Sequence, residues 1–445
     1  MHYPLPEAFI ARMRAQLGMH ADAYFSALEQ PYQRGVRLNP RKPVKPELVE
    51  GIGENVPWNK PYGHYLSQDS AAGLDPLHEA GVYYIQEPSA MAPVTLLNIE
   101  HGMRVLDLCA APGGKSTQIA DRLGPDGLLV CNEPVPSRAK ILSRNIERMG
   151  VGNALVVSAD PEKLAPIWSA AFDAILVDAP CSGEGMFRRH PETRTEWNEG
   201  SPEGCAERQK RILACAIRML RPGGSLVYST CTLNHEENEN VVAWMLENHD
   251  DLSTVPFMLE IGEGKTLDAP NGMAHLYPHE LKGEGHFTAK LQKADGEADD
   301  LFLPAAERLG KPQKPMLEAC RVFVKPFGAL PQANAQFGDM LISSPDLPPL
   351  KGVKVLRAGI QLGTLKGKVF APDHALAMAL SQPYALPQVP LSREEALRYQ
   401  SGETIDCDER LSGWVLPVYE GTALGFGKCS SGQMKNHYPK GLRRP

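Results

Sequence analysis

The segment VLDLCAAPGGKS at 105–116 constrains the fold more than any other part of the chain. An apolar run ends in an acid, a turn with two adjacent glycines follows, and a helix-forming stretch begins at once. Backbone N–H groups at the start of such a helix lack intrahelical partners, and Gly113 and Gly114 carry no side chain to block a charged ligand. The Gly-Lys-Ser ending invites comparison with a phosphate loop, but the spacing excludes one. A phosphate loop needs glycine five positions before Gly114, where Cys109 stands. The dinucleotide pattern fails as well, because Ala110 and Ala111 occupy the early turn.

Short apolar or β-branched runs alternate with helical stretches from Tyr83 onward, at 104–108, Leu128–Asn132, Ala154–Ser158, 174–177 and 225–229. That alternation predicts an α/β domain with a parallel sheet between helices, and 275–277 and 286–291 suit antiparallel strands at its edge. Glu133 lies twenty residues beyond Gly113 at the end of the second strand, where a carboxylate can accept ribose hydroxyls. Asp107, Asp160 and Asp178 end the first, third and fourth strands at the same edge. Four carboxylates around one crevice suit a ligand with an amine, a diol and an adenine amino group, and they repel a triphosphate. S-adenosylmethionine has all three donors and a sulfonium cation.

The 445 residues, 42% of them hydrophobic, suffice for two or three domains. We expect an N-terminal domain at 1–82 with helices at Glu7–Leu17 and 20–28, a catalytic domain at 83–294, a linker at 295–315, and a C-terminal region at 316–445. Four acids in 294–300 and two prolines in 311–315 suggest the linker. Strand-like runs at 353–356, 413–417 and 423–427 suggest that the last region is a compact β-rich module. No apolar run is long enough to span a membrane and the start carries Glu7, Arg12 and Arg14, so a cytoplasmic protein without a membrane partner is expected, as a monomer. Nine cysteines without a CxxC pair indicate free thiols and no metal site. A net charge of −7 argues against nucleic-acid binding by the whole surface. Two local clusters remain candidates, each with five basic residues and no acid: RGVRLNPRKPVK at 34–45 and the tail 428–444.

Two cysteines stand where strands open onto the crevice: Cys181 in DAPCSG (178–183) and Cys231 in YSTCT (228–232). A strand cysteine alone is usually a small buried hydrophobe. A pair beside a ligand loop suits covalent chemistry, in which a thiolate adds to carbon 6 of a pyrimidine and turns carbon 5 into a nucleophile. Asp178 can stabilise a proton on the ring nitrogen. An amino-group methyltransferase typically has an aromatic where Cys181 stands.

With these motifs the chain resembles the Nop/Sun family of RNA cytosine-5 methyltransferases, most of all its bacterial RsmF-type members, which act on 16S ribosomal RNA near the decoding site. The resemblance rests on 34–39, 109–115, 178–181, 229–232 and the tail GFGK…KNHYPKGLR, and it extends over nearly the whole chain. It implies a Rossmann-like S-adenosylmethionine methyltransferase fold with a small N-terminal α/β RNA-binding domain and a PUA-like C-terminal module. It implies Cys231 as nucleophile and Cys181 as the residue that helps release product. Cofactor contacts are implied for Cys109, Ala110, Ala111, Pro112, Gly113, Gly114, Lys115, Glu133, Arg138, Asp160 and Asp178, with Lys115 and Asp178 also facing the base. Arg188, Arg189 and His190 are expected to steady phosphates. The target base must leave its stack to reach two strand-end cysteines. The same chemistry on tRNA or 23S rRNA, and a non-catalytic RNA-binding scaffold, remain as alternatives.

Overall fold

The computed structural model describes residues 3–325, 332–382 and 384–444. Its centre is a nine-stranded sheet whose main path runs Leu252–Thr254, His286–Lys293, Leu220–Thr230, Phe172–Asp178, Arg104–Asp107, Leu128–Asn132, Ala154–Ser158 and Lys354–Ala358. The five strands from Leu220–Thr230 to Ala154–Ser158 are parallel. They read as nearly continuous apolar runs because helices cover both faces. Val105, Leu106, Leu129, Val130, Ile175, Leu176, Leu226 and Val227 have no solvent exposure. Each such side chain contributes roughly 1.5–3 kcal/mol through burial. The strand order reverses between Arg104–Asp107 and Phe172–Asp178, where an open α/β sheet forms its ligand crevice.

Met273–Leu276 pairs antiparallel with His286–Lys293, as the edge reading expected. The run near 353–356 does not belong to a separate β module. Lys354–Ala358 adds antiparallel to Ala154–Ser158 and completes the far edge of the catalytic sheet. Its Arg357 side chain is buried and ion-paired with Glu147, a helix residue of the catalytic domain. The acidic stretch before it also lies against that domain, with Asp300 accepting two hydrogen bonds from Arg104 at 2.6 and 3.0 Å. Two smaller sheets follow, one of four strands from Ala335–Phe337 to Val369–Pro372 and one of six between Gln388–Pro390 and Gln433–Asn436. In the latter the run at 423–427 is split, because Thr422–Ala423 and Gly427–Ser430 pair with opposite ends of Gly413–Tyr419.

The N-terminal region folds as two helices, Glu7–Leu17 and Ala21–Leu28, and a four-stranded antiparallel sheet. Here the charge reading of 34–45 fails. Arg37 is buried, ion-paired with Asp121 and hydrogen-bonded to Thr117 at 2.5 Å. Arg41 reaches the other oxygen of Asp121 at 2.6 Å. Lys42 is buried against the carbonyls of Ala80 and Arg148 at 2.6 and 3.0 Å, and burial lowers its pKa to about 7. Arg34 donates to three backbone carbonyls. Of the five basic residues only Lys45 is exposed, so this segment seats the N-terminal sheet on the catalytic domain. Burying these cations is tolerable because each finds a carboxylate or carbonyl partner.

The two ends of the chain share a core. Val36, Leu77 and Tyr83 cluster with Tyr399, Val415 and Met434. Arg444 donates to the carbonyls of Leu74 and Asp75, which takes it out of the exposed tail cluster.

Candidate active site

The turn after Arg104–Asp107 is held from beneath. Asn132 donates to Leu108 O at 3.2 Å, Asn145 to Pro112 O at 2.9 Å, and Ala110 N to Asn132 O at 2.9 Å. Gly113 adopts φ 115°, a conformation that side-chain-bearing residues rarely accept, and the helix Gly114–Leu123 starts directly after it. A crevice of about 560 Å³ opens at this edge, within the size range of small-ligand sites. Its walls include Cys109, Ala111, Glu133, Arg138, Asp160, Asp178, Cys181 and Cys231, with Val135, Pro161 and Ile212 as apolar surface. Ala110, Pro112, Gly113, Gly114 and Lys115 lie in the supporting turn rather than among these wall residues.

The carboxylates divide by role. Asp107 turns inward, accepts a 2.6 Å hydrogen bond from Ser116 and does not line the crevice. Burial raises its pKa to about 7. Between the unfolded pKa near 4 and that value the native state holds the extra proton, so stability falls as pH rises. We expect Asp107→Asn to remove a slope of at most about 1.4 kcal/mol per pH unit over this interval. Urea titrations of both proteins from pH 4.5 to 7 measure it, and an unchanged slope refutes it.

Glu133 is a wall residue of the crevice and almost fully buried. One oxygen accepts from Val135 N at 3.0 Å, and the other sits 3.3 Å from Arg138, which also holds Ala111 O at 3.0 Å. Asp160 caps the helix Pro161–Leu164 through one oxygen, which fixes its direction and leaves the second available. These acceptors above apolar walls fit the diol and amine of S-adenosylmethionine. Replacing Glu133 by Ala should weaken binding of that cofactor by about 1–3 kcal/mol, through the loss of a charged acceptor. Calorimetry checks this, and unchanged affinity removes Glu133 from the site.

The chemistry end is built from two loops that bond to each other. Gly185 N donates to Cys231 O at 2.9 Å, and the Cys181 and Cys231 sulfurs are 3.3 Å apart. The hydrogen bond to Cys231, followed by burial, pushes the Cys181 thiol well above its usual range. Asp178 accepts from Lys115 at 2.8 Å and Ser229 at 2.7 Å, with His286 3.7 Å away. Burial opposes its ionisation, but Lys115 and then His286 outweigh burial and hold the carboxyl below its ordinary range.

Glu237, absent from the sequence reading, joins the loops. Its buried carboxylate accepts from Ser182 N at 3.0 Å, Asn234 at 2.8 Å and Gln209 at 2.8 Å, and also from the Ser182 hydroxyl. Glu184 performs a similar task toward the N-terminal helix, meeting Arg12 at 2.6 Å and Trp197 at 3.0 Å. Arg188 does not reach outward for phosphates. Its guanidinium is buried against Glu284, at 2.9 Å, and the carbonyls of Ala27 and Gly283. Arg189 lies over the Tyr32 ring at 5.5 Å, and only His190 of the three is exposed.

Known proteins match the whole of this arrangement. Profiles described as the N-terminal domain of 16S rRNA methyltransferase RsmF, 16S rRNA methyltransferase RsmB/F, the RsmF first C-terminal domain and the RsmF PUA domain match residues 5–88, 94–292, 323–380 and 387–444. Ribosomal RNA small subunit methyltransferase F of Salmonella paratyphi A is 33% identical over 99% of this chain and 96% of its own length. The chain belongs to the RsmF-type Nop/Sun methyltransferases. The Klebsiella pneumoniae relative of the same name is 32% identical over the same shares. Among solved structures, a methyltransferase homolog from Pyrococcus horikoshii has a TM-score of 0.52 at 31% identity, covering 65% of this chain and all of that one. NSun6 from Pyrococcus horikoshii, solved with SFG, has a TM-score of 0.57 at 23% identity, covering 65% and 99%, and shares the fold. This RsmF-type chain is thus an S-adenosylmethionine-dependent methyltransferase with a C-terminal PUA-like domain.

Proposed function

We propose that the protein methylates carbon 5 of cytosine in 16S ribosomal RNA through a covalent adduct between Cys231 and carbon 6. The observation that carries this reading is the pair of sulfurs 3.3 Å apart at the wall of the crevice that holds Glu133 and Asp160. Methylation of an exocyclic amine or a ribose hydroxyl has no use for two opposed thiols. S-adenosylmethionine, when bound, supplies an electrophilic methyl group.

Cys231 adds as a thiolate to carbon 6, and the electron pair displaced from the ring is neutralised by a proton at N3. Asp178, held ionised by Lys115 and His286, suits the acceptor side of that N3–H. It is a poor proton donor, so solvent supplies the proton. Cys181 stays a thiol at first, held protonated by its hydrogen bond with Cys231 and by burial. Once Cys231 is bonded to carbon 6, that hydrogen bond weakens and the largest cause of the raised pKa goes with it. Cys181 then gives its own proton to solvent and, as thiolate, takes the proton from methylated carbon 5. The electron pair restores the C5–C6 double bond and expels Cys231 as thiolate, and N3 returns its proton to solvent. Cys109 and the supporting turn from Ala110 to Gly114, with Glu133, Arg138 and Asp160, form the cofactor end of this site.

RNA is held in part by the PUA-like module. Lys428 and Lys435 are exposed and directly opposite on paired strands, an arrangement that costs stability without an anion. Trp414 lies 5.9 Å from Lys428 and 4.5 Å from His437, whose pKa is lowered by burial and by Lys435, Lys366 and Lys428. We expect Lys428→Ala with Lys435→Ala to reduce the salt slope of RNA binding by roughly 0.7–0.9 per lost phosphate contact, with cofactor affinity unchanged. A full slope in the folded double variant rules out these contacts. Among the described residues no helix is long and apolar enough to cross a membrane. We place the enzyme in the cytoplasm, acting as a monomer.

The direct test transfers labelled methyl groups from S-adenosylmethionine to 16S rRNA, free or in the small subunit, and digests the product to nucleosides. Label in 5-methylcytidine is expected. Label in any other nucleoside, or only in tRNA or 23S rRNA, overturns the corresponding part of the reading.

A further inference from the structure

The turn that carries Cys231 runs on through Asn234 and Glu237 into the helix Glu239–Asn248. His235 and Glu239 are four residues apart, which brings their side chains together at the start of this helix. His235 Nδ1 lies 2.8 Å from one Glu239 oxygen. The strand Met273–Leu276 contributes His275, whose Nε2 lies 2.6 Å from the other. The three ligand atoms are all within 4.8 Å of one another. His275 is 12% exposed, Glu239 30% and His235 55%, so the cluster is closed on the strand side and open on the solvent side.

We propose that His235, Glu239 and His275 bind a divalent transition cation of the zinc class, with water in the fourth position. Two imidazoles and one carboxylate form a donor set suited to such an ion and unsuited to calcium or magnesium, which prefer oxygen. Bond lengths near ~2.0–2.1 Å in a tetrahedral site require ligand atoms about 3.3 Å apart. The two imidazoles now meet different Glu239 oxygens at 2.8 and 2.6 Å, and these contacts open by roughly half an ångström while the ligand atoms, all within 4.8 Å of one another, gather around the ion. Without it, both imidazoles converge on one carboxylate.

The role of the ion follows from the register. His275 is opposite Phe287, and Phe287 is opposite Thr230, the residue before Cys231. His275 therefore lies two strand spacings, about 10 Å, from Thr230 at the start of the reactive turn. It is too far to touch the base. The ion ties the turn and its helix to the edge hairpin, and so acts by position and not as a catalyst.

Titration of the full chain with Zn²⁺, followed by calorimetry and thermal unfolding, tests this. One equivalent should bind and raise the melting temperature, and Cys181→Ser should retain both effects. His235→Ala, at a half-exposed position where the fold tolerates truncation, and His275→Ala should each weaken binding by at least ~10-fold. Co²⁺ should give visible d–d bands without the near-ultraviolet sulfur-to-cobalt band that binding at cysteines produces. The proposal is overturned if His235→Ala binds Zn²⁺ as tightly as the parent protein, or if the cobalt spectrum is that of thiolate ligands.

Discussion

Cys181→Ala should accumulate an RNA-linked protein that survives denaturant, while Cys231→Ala should form none and lose methyl transfer by about four orders of magnitude or more. The two sulfurs share one hydrogen bond, so a purely structural role would make their replacements nearly equivalent. The covalent mechanism makes them opposite. Removing Cys231 deletes the attack on carbon 6, and carbon 5 is never activated. Removing Cys181 leaves attack and methyl transfer in place but deletes the base that takes the carbon 5 proton, and Cys231 stays attached. A gel-shifted band in Cys181→Ala, lost in the double variant and mapped by peptide mass to Cys231, is the expected result. A band in Cys231→Ala that maps to Cys181 reverses the roles, and full activity in both variants removes the thiols from the reaction.

The site was legible in sequence wherever a functional residue sits at a strand end inside a short motif. Asp178 ends one parallel strand, Cys181 and Cys231 follow the ends of that strand and its neighbour, and strand alternation places those ends at one edge before any coordinates are known. Charge was a poorer guide. Arg37, Lys42 and Arg188 look like phosphate contacts in a linear reading, yet all three are buried on partners far along the chain, at Asp121, Arg148 and Glu284. A basic residue shows its sign in sequence but not its partner, and such pairing depends on the tertiary fold. The run near 353–356 reads as part of a separate module for a related reason. Its apolar pattern announces a strand, but pairing with Ala154–Ser158 across some 200 residues leaves no local trace. Glu237 lies in the polar run NHEENEN, where nothing in the sequence marks which acid turns inward.

That inward turn makes Glu237→Gln the second substitution with a large expected effect. The carboxylate is an acceptor only, and it meets four donors: the backbone and hydroxyl of Ser182, Asn234 and Gln209. An amide of equal size replaces one acceptor oxygen with an NH₂ group, which then faces donors in a buried site. At least one hydrogen bond is lost and another group is left unsatisfied, at a cost of about 1–3 kcal/mol each. Burial raises the Glu237 pKa, but the four donors oppose that shift, so the geometry favours the ionised form that glutamine cannot reproduce. Ser182 follows Cys181, and Asn234 is three residues after Cys231, so the same change loosens both sulfurs. A displacement near 1 Å between reacting groups can lower a rate by about 100-fold. We therefore expect Glu237→Gln to unfold at lower urea and to lose about 100-fold in turnover, with S-adenosylmethionine affinity preserved because Glu133 and Asp160 follow other strands. Single-turnover methyl transfer at saturating cofactor separates the effects. A destabilised variant with normal turnover would show that Glu237 supports the fold without aligning the cysteines.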